Sequence, residues 1–317
     1  MTWMSWQIDY LLLLQNFREA TNGIFDSFFL FISQLGVMPF TFIVLCTIYW
    51  GINKNLGIYM IYCMCFSFLI NTFLKLTFCI YRPWLLDGRL QPTGNAMHTA
   101  PGYSFPSGHT AGATSFWGSI AMYFSNKKWI VYTCLFIIFL VMLSRNYLGV
   151  HTSQDVIVSF VVGIAIIFYT NKLLLWTKEN KDGEDIAMAL ITIFSCILII
   201  YIVFKPYPID ISNGKLVYDG TLAQQGGIAT IINSYALLLG CYIENKYVKF
   251  NPKAGSIFEK INRVLIGLGL IFIIETFFFD YIFEILEEKP AKYITRFMSG
   301  LFITLIYPCL IKLSDSI

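Results

Sequence analysis

The chain has 317 residues, of which 57% are hydrophobic and 13% charged, and its formal net charge is +3. A soluble globular domain carries about a quarter charged residues, so this composition excludes an ordinary soluble enzyme and points to a membrane-embedded chain. The small net charge gives no footprint for nucleic acid. The eight Cys show no CxxC or zinc-like spacing, and Cys63, Cys65, Cys134 and Cys196 lie in apolar stretches, so neither a disulfide framework nor a metal site is expected.

A bilayer core requires about 20 apolar residues per helix. The N-terminus lacks a basic region followed by a cleavage site, so no removable signal peptide is expected. The segment from Trp6 to Asn22 joins Leu11, Leu12 and Leu14 to Arg18 and Glu19, which predicts an interfacial amphipathic helix. Nine candidate spans follow: Phe28–Ile52, Leu56–Ile80, His109–Phe124, Trp129–Leu143, Val156–Leu175, Ile186–Phe204, Gly227–Ile243, Val264–Ile285 and Phe297–Leu313. Pro39 interrupts the first. The polar run Asn180 to Asp185 divides the chain, so residues 1–27 read as an interfacial segment, 28–179 as a core and 180–317 as a C-terminal extension. The expected fold is all-α, a polytopic membrane bundle.

Lys and Arg in short connections set orientation. One set of loops carries Lys54, then Lys127 and Lys128, then Lys172, Lys178 and Lys181, then Lys246, Lys249, Lys253, Lys260 and Arg263. This set reads as cytoplasmic. The loops at the opposite ends hold the residues of chemical interest.

Ionisable residues at membrane depth are costly and mark functional sites by default. Lys75 lies near the end of the second span, and Arg82-Pro83 follows seven residues later. Alone, both cations could snorkel to headgroups. Pro106-Ser107-Gly108-His109 opens the third span, with Ser107 as an N-cap and Gly108 permitting close backbone approach. A helix N-terminus suits a phosphate, although an ordinary helix start has the same appearance. Ser144-Arg145 precedes His151 and Asp155, which are four residues apart and share a face if helical. An Asp bonded to one imidazole nitrogen leaves the other free to attack; a structural His–Asp pair is the plainer alternative. Two of the three His, His109 and His151, fall at the same predicted side as the three cations. That convergence makes a phosphoryl-transfer site without a metal.

The three motifs together resemble the type 2 phosphatidic acid phosphatase superfamily. Lys75 with Arg82-Pro83 reads as KxxxxxxRP, Pro106 to His109 as PSGH, and Ser144-Arg145, His151 and Asp155 as SRxxxxxHxxxD. The resemblance implies a six-helix-type phosphatase core and a lipid phosphatase that works through a phosphohistidine. It implies His151 as the nucleophile, Asp155 as its orienting partner and His109 as acid and then base. Lys75, Arg82 and Arg145 would hold the phosphoryl oxygens, with Ser107 and the Gly108 N–H completing the cradle. Pro83, Pro106 and Ser144 are expected as scaffold, and no cofactor is implied.

The implied partner is a membrane lipid phosphate: a polyprenyl pyrophosphate, phosphatidate, phosphatidylglycerol phosphate or sphingoid phosphate. No obligate protein partner is evident. The expected location is the cell membrane with a non-cytoplasmic site, or the endoplasmic reticulum in a eukaryote. Alternatives are a phosphatase for a soluble sugar phosphate and a non-catalytic lipid transporter on the same fold. His98 matches no motif and reads as a solvated loop residue. Asp87 and Arg89 stay undecided, and Glu275 and Asp280 read as a wet helix end or as part of a lipid-access groove.

Overall fold

The computed structural model describes residues 5–37, 39–212 and 215–314. Residues 1–4 of the N-terminal segment, Met38 of the first expected span and the last three residues of the extension lie outside them. The regular secondary structure of the described residues is helical but for one antiparallel pair of two-residue strands, β1 (Ile211–Ser212) and β2 (Lys215–Leu216). Seven helical stretches are long and apolar enough to cross a membrane: Lys54–Leu86, Lys128–Tyr147, Ser153–Glu179, Gly183–Phe204, Gly220–Val248, Ile257–Ile285 and Glu288–Ser314. These correspond to seven of the nine expected spans.

The other two expected spans are helical but shorter. Pro39 sits at a break between α2 (Asp26–Gln34) and α3 (Phe40–Thr47), so the first is two half-helices. The PSGH span is α7 (Gly108–Tyr123), 16 residues long. It is rich in Gly, Ala, Ser and Thr, which let helices approach closely in a membrane. A Cβ at Gly118 would stand 2.5 Å from Ile167, and one at Gly163 would stand 2.6 Å from Thr114. Both glycines therefore hold α7 tight against α9 (Ser153–Glu179). Gly36, in the turn after α2, approaches as closely: a Cβ there would meet the His109 carbonyl at 2.6 Å.

Two compact units make up the molecule, and neither is a single stretch of chain. The first comprises Met1–Thr41, Ile70–Ile167 and Phe204–Gln224; the second comprises Phe42–Leu69, Phe168–Val203 and Gln225–Ile317. In the first unit α1 (Ser5–Ala20) docks through one face, which holds its buried residues Gln7, Ile8 and Leu11. Ile8 and Leu11 bury against Leu90. Arg18 donates to the Gln91 carbonyl at 2.6 Å and to Thr93 Oγ1 at 3.1 Å. The Gln154 N–H donates to Gln7 Oε1 at 3.0 Å. Around α8 (Lys128–Tyr147), Ile32, Ala113 and Val141 form a small core, and Trp117 donates to the Leu35 carbonyl at 2.9 Å.

The second unit carries all four π-helical turns among the described residues: Ile48–Ile52, Glu244–Val248, Ile274–Phe278 and Phe302–Ile306. Glu244, fully buried, pairs with Lys54 at 2.6 Å and accepts the Phe250 N–H at 2.9 Å. Trp50 donates to the Ile303 carbonyl at 3.0 Å and meets Tyr307 edge-on at 4.7 Å. Gly267 leaves room for both rings, since a Cβ there would fall 2.6 Å from Trp50. A capping box, Ser256 with Glu259, starts α12 (Ile257–Ile273). Glu275 and Asp280 are exposed and line a groove of about 380 Å³ with Lys292 and Arg296.

Candidate active site

All eight residues expected to carry the chemistry lie in the first unit. Lys75 stands in the last turn of α4 (Lys54–Phe78). Arg82 is the residue before Pro83, which opens the short α5 (Pro83–Leu86) from its first position. Gly108 and His109 begin α7, Arg145 lies in the last turn of α8, and Asp155 lies in the first turn of α9. Helix ends of alternating direction thus bring the three motifs to one place.

His151 and Asp155 do meet, but not on one helical face. His151 sits in the bend before α9, and only Asp155 is helical. The His151 Nδ1 lies 3.3 Å from Asp155 Oδ2, and that oxygen also accepts the Thr152 N–H at 2.9 Å. The other imidazole nitrogen, Nε2, is 2.9 Å from Arg82 Nη1. A guanidinium has no acceptor, so Nε2 must receive the hydrogen bond and carry the lone pair. The proton is then on Nδ1, facing Asp155. His151 is buried, and burial together with Arg82, Arg145 and Lys75 pushes its pKa well below the ordinary imidazole range. The ring is therefore neutral, with a nucleophilic nitrogen.

The cations differ in what they hold. Lys75 Nζ directs its donors to the carbonyls of Tyr103 at 2.9 Å, Ser104 at 3.3 Å and Pro106 at 2.8 Å. Arg82 donates to the carbonyls of Gly102 at 2.9 Å, Pro101 at 3.0 Å and Val150 at 2.9 Å, besides His151. Both side chains thereby fix the backbone around the site. Arg145 is fully buried and donates from Nη1 to Ser33 Oγ at 2.5 Å. Its Nε and Nη2, like His109 Nε2, are buried and have no hydrogen-bond partner among the described residues. Buried polar atoms in native proteins are almost always paired, so these three nitrogens are set for a ligand.

The PSGH turn supplies further donors. Ser107 is the N-cap of α7, and its hydroxyl accepts from the Thr110 N–H at 3.4 Å and from Thr110 Oγ1 at 3.2 Å. A hydroxyl accepts twice and donates once, so the Ser107 proton remains for a ligand. The Gly108 N–H, in the first turn, has no helical acceptor. A Cβ at Gly108 would meet nothing within 4 Å, so there is open space above this helix start. His109 feels the charges of Arg145, His151, Arg82 and Lys75, which places it among them.

Four polar residues escape the motif reading. Ser104 donates to Asp155 Oδ2 at 2.5 Å. Ser33 holds Arg145. Asn71 and Ser159 donate to the Ser107 carbonyl at 3.5 and 2.9 Å. Asn71 and Ser159 lie inside apolar spans, where a polar side chain needs a partner; that cost was the signal that could have marked them. Outside the site, His98 is exposed. Asp87 and Arg89 pair with each other at 2.7 Å, and Arg89 holds the Asp87 carboxyl down to about 2. Ser144 donates to the Val141 carbonyl of its own helix at 2.6 Å, a scaffold role.

The family model of the PAP2 superfamily matches residues 56–179, the stretch that holds all eight residues expected to carry the chemistry. A second model, the PAP2 superfamily phosphatase transmembrane extension, matches residues 234–314. The chain belongs to the type 2 phosphatidic acid phosphatase superfamily. With that membership goes the coarse activity of a membrane phosphatase. No curated protein and no solved structure matches the chain at significance.

Proposed function

We propose that the chain hydrolyses a lipid phosphomonoester or pyrophosphate through a phosphohistidine intermediate. The observation that carries this reading is the charge balance of the site. Lys75 and Arg82 face one carboxylate, Asp155, Arg145 stands near Arg82, and two nitrogens of Arg145 have no partner among the described residues. Burying cations without a counter-anion costs several kcal/mol, so the site is built for an anion that arrives with the substrate.

The geometry supports the following reaction. A phosphoryl oxygen takes the Arg82 N–H away from His151 Nε2 and also meets Arg145, the Ser107 hydroxyl and the Gly108 N–H. The freed Nε2 lone pair attacks phosphorus. The P–N bond forms as the bond to the lipid oxygen breaks, and His109 gives that oxygen its proton. The His151 ring, now a phosphorylated imidazolium, keeps its proton on Nδ1, where Asp155 accepts the hydrogen bond. In the second half His109 takes a proton from water, hydroxide attacks phosphorus, and the P–N bond returns its electrons to Nε2. Cationic clamps stabilise charge on the equatorial oxygens throughout.

The substrate class is a polyprenyl pyrophosphate, phosphatidate, phosphatidylglycerol phosphate or sphingoid phosphate. The long apolar helices support a membrane-borne substrate, and the Lys-rich loops at the opposite helix ends support a non-cytoplasmic site. The test is phosphate release by the purified protein from these lipid phosphates, with glucose 6-phosphate and p-nitrophenyl phosphate alongside. Turnover of the lipids, undiminished by EDTA and blocked by vanadate in competition with inorganic phosphate, is expected. Turnover of glucose 6-phosphate alone would overturn the lipid assignment, and no turnover of any phosphate would favour a transporter.

A further inference from the structure

The connection between α10 (Gly183–Phe204) and α11 (Gly220–Ile243) belongs to the extension by sequence and to the first unit by packing. It falls between the two stretches matched by the family models, which end at residue 179 and resume at 234. It is nevertheless fastened to the site at two places. At its start, Lys205 donates to Cys79 Sγ at 3.4 Å, and the Tyr81 hydroxyl bonds Asp210. The Val217 N–H returns to the Asp210 carbonyl at 2.8 Å and closes the strap on itself. At its end, Tyr218 meets Tyr103 edge-on with ring centroids 5.0 Å apart.

The second fastening is at the catalytic groups. The Tyr103 carbonyl is one of the acceptors of Lys75, and the Gly102 carbonyl accepts from Arg82 Nε. The Tyr218 hydroxyl stands 3.1 Å from where a Cβ at Gly102 would be. Gly102 has φ +73°, so the backbone and the tyrosine both call for glycine there. Tyr218 is half-buried and feels the charge of Arg82. Its ring and hydroxyl thus reach the corner of the site where Arg82 turns toward His151, while the phosphate donors, Ser107, Gly108 and Arg145, belong to other elements.

We propose that Tyr218 is a specificity-determining residue that contacts the bound lipid beside Arg82, away from the phosphoryl donors, through its ring and hydroxyl. The amphipathic phenol suits the junction where a polar ester end meets an apolar chain. The extension thereby shapes substrate choice without contributing to the phosphoryl pocket. This rests on the lipid phosphatase reading above.

The experiment compares Tyr218→Ala, Tyr218→Phe and wild type on a lipid phosphate and on p-nitrophenyl phosphate, which has only a small aryl leaving group. Wild-type turnover of the lipid establishes the underlying reading first; its absence is a failure of that reading, not of the role of Tyr218. Given turnover, the ratio of lipid kcat/KM to p-nitrophenyl phosphate kcat/KM is expected to fall roughly three- to tenfold in Tyr218→Ala, the worth of one aromatic contact. The change should sit in KM. Tyr218→Phe, which keeps the ring, should recover most of it. A second readout needs no activity: in Tyr218→Cys, a lipid phosphate should slow maleimide labelling of the new thiol, and inorganic phosphate should not. An equal loss on both substrates, or labelling slowed equally by inorganic phosphate, would overturn the proposal and make the strap a support of the phosphoryl pocket. An unchanged ratio would overturn it too.

Discussion

Two clusters of buried charge sit in the two units, and they are built on opposite plans. In the second unit Lys54 meets Glu244, and the carboxylate is completed by the Phe250 N–H. Each charge has its counter-charge, and nothing is left over. In the first unit Lys75 and Arg82 stand against Asp155, with Arg145 near Arg82 and nitrogens of Arg145 and His109 unpartnered among the described residues. The balanced pair is a staple and the unbalanced cluster is a site. Apolar surroundings make both expensive, so the residual charge, more than burial itself, separates catalysis from structure.

The largest expected effects break the unbalanced cluster. His151→Ala should form no phosphoenzyme with any substrate and lose at least about 10⁴-fold in kcat. His109→Ala should be nearly dead on a lipid, whose alkoxide leaves only with a proton. With p-nitrophenyl phosphate it should still phosphorylate His151 and then stall, because no base activates water. The observable is an acid-labile, base-stable phosphohistidine, located by rapid quench and mass spectrometry. Label on His109, or label persisting in His151→Ala, would reverse the two roles. The same trapped reaction reports on protonation. Because His151 is held below its usual range, phosphorylation should keep its rate as pH falls through about 6.5, the value for a free imidazole. Half-loss at or above that pH would mean an ordinary histidine.

The next effect breaks the balanced pair. Glu244→Leu leaves Lys54 facing no carboxylate and should cost about 3–5 kcal/mol of stability, read as the shift in detergent or thermal unfolding. Lys54→Met combined with Glu244→Leu should restore most of it. Turnover per folded molecule should stay near wild type in the double variant; a collapse of turnover there would erase the distinction between staple and site.

Smaller effects sharpen the comparison from the catalytic side. Arg145→Lys keeps the charge and loses the planar fork, so kcat should fall by about 10²–10³, as for removal of an oxyanion-hole donor. Near-normal turnover with folding intact would remove Arg145 from the clamp. Ser33→Ala deletes the hydroxyl that holds Arg145 Nη1. A hydrogen bond to a charged group is worth about 1.5–3 kcal/mol, so a loss of roughly tenfold or more in kcat/KM is expected. Vanadate affinity should weaken in parallel, which a merely structural serine would not cause.

The motif residues were legible because their spacing, order and side of the membrane agree before any contact is known. The seven long helices were legible for the same reason, since length and hydropathy are local. Pro39 also announced its break, although not that the half-helix before it would bring Ser33 to Arg145. Ser33, Ser104 and Tyr218 were not legible. Each is an unremarkable polar or aromatic residue in its own stretch, and each acquires its role from a partner far along the chain: Ser33 from Arg145, Ser104 from Asp155, Tyr218 from Tyr103. The His151–Asp155 contact was legible as a pairing but not as a geometry. Spacing suggested a shared helical face, and the structure closes the pair across a bend.

The catalytic unit is discontinuous, closing only with Phe204–Gln224, and this bears on its biogenesis. During synthesis the motif residues are all in place once Asp155 has been made. The strap that fastens to Tyr81 and Tyr103 is not made until two helices later. The nascent chain must therefore carry a cluster of uncompensated cations through insertion, with its mouth unfinished, while α10 is threaded. A chain ended near residue 179 would retain every signature residue and still lack the strap that packs on Tyr81 and Tyr103.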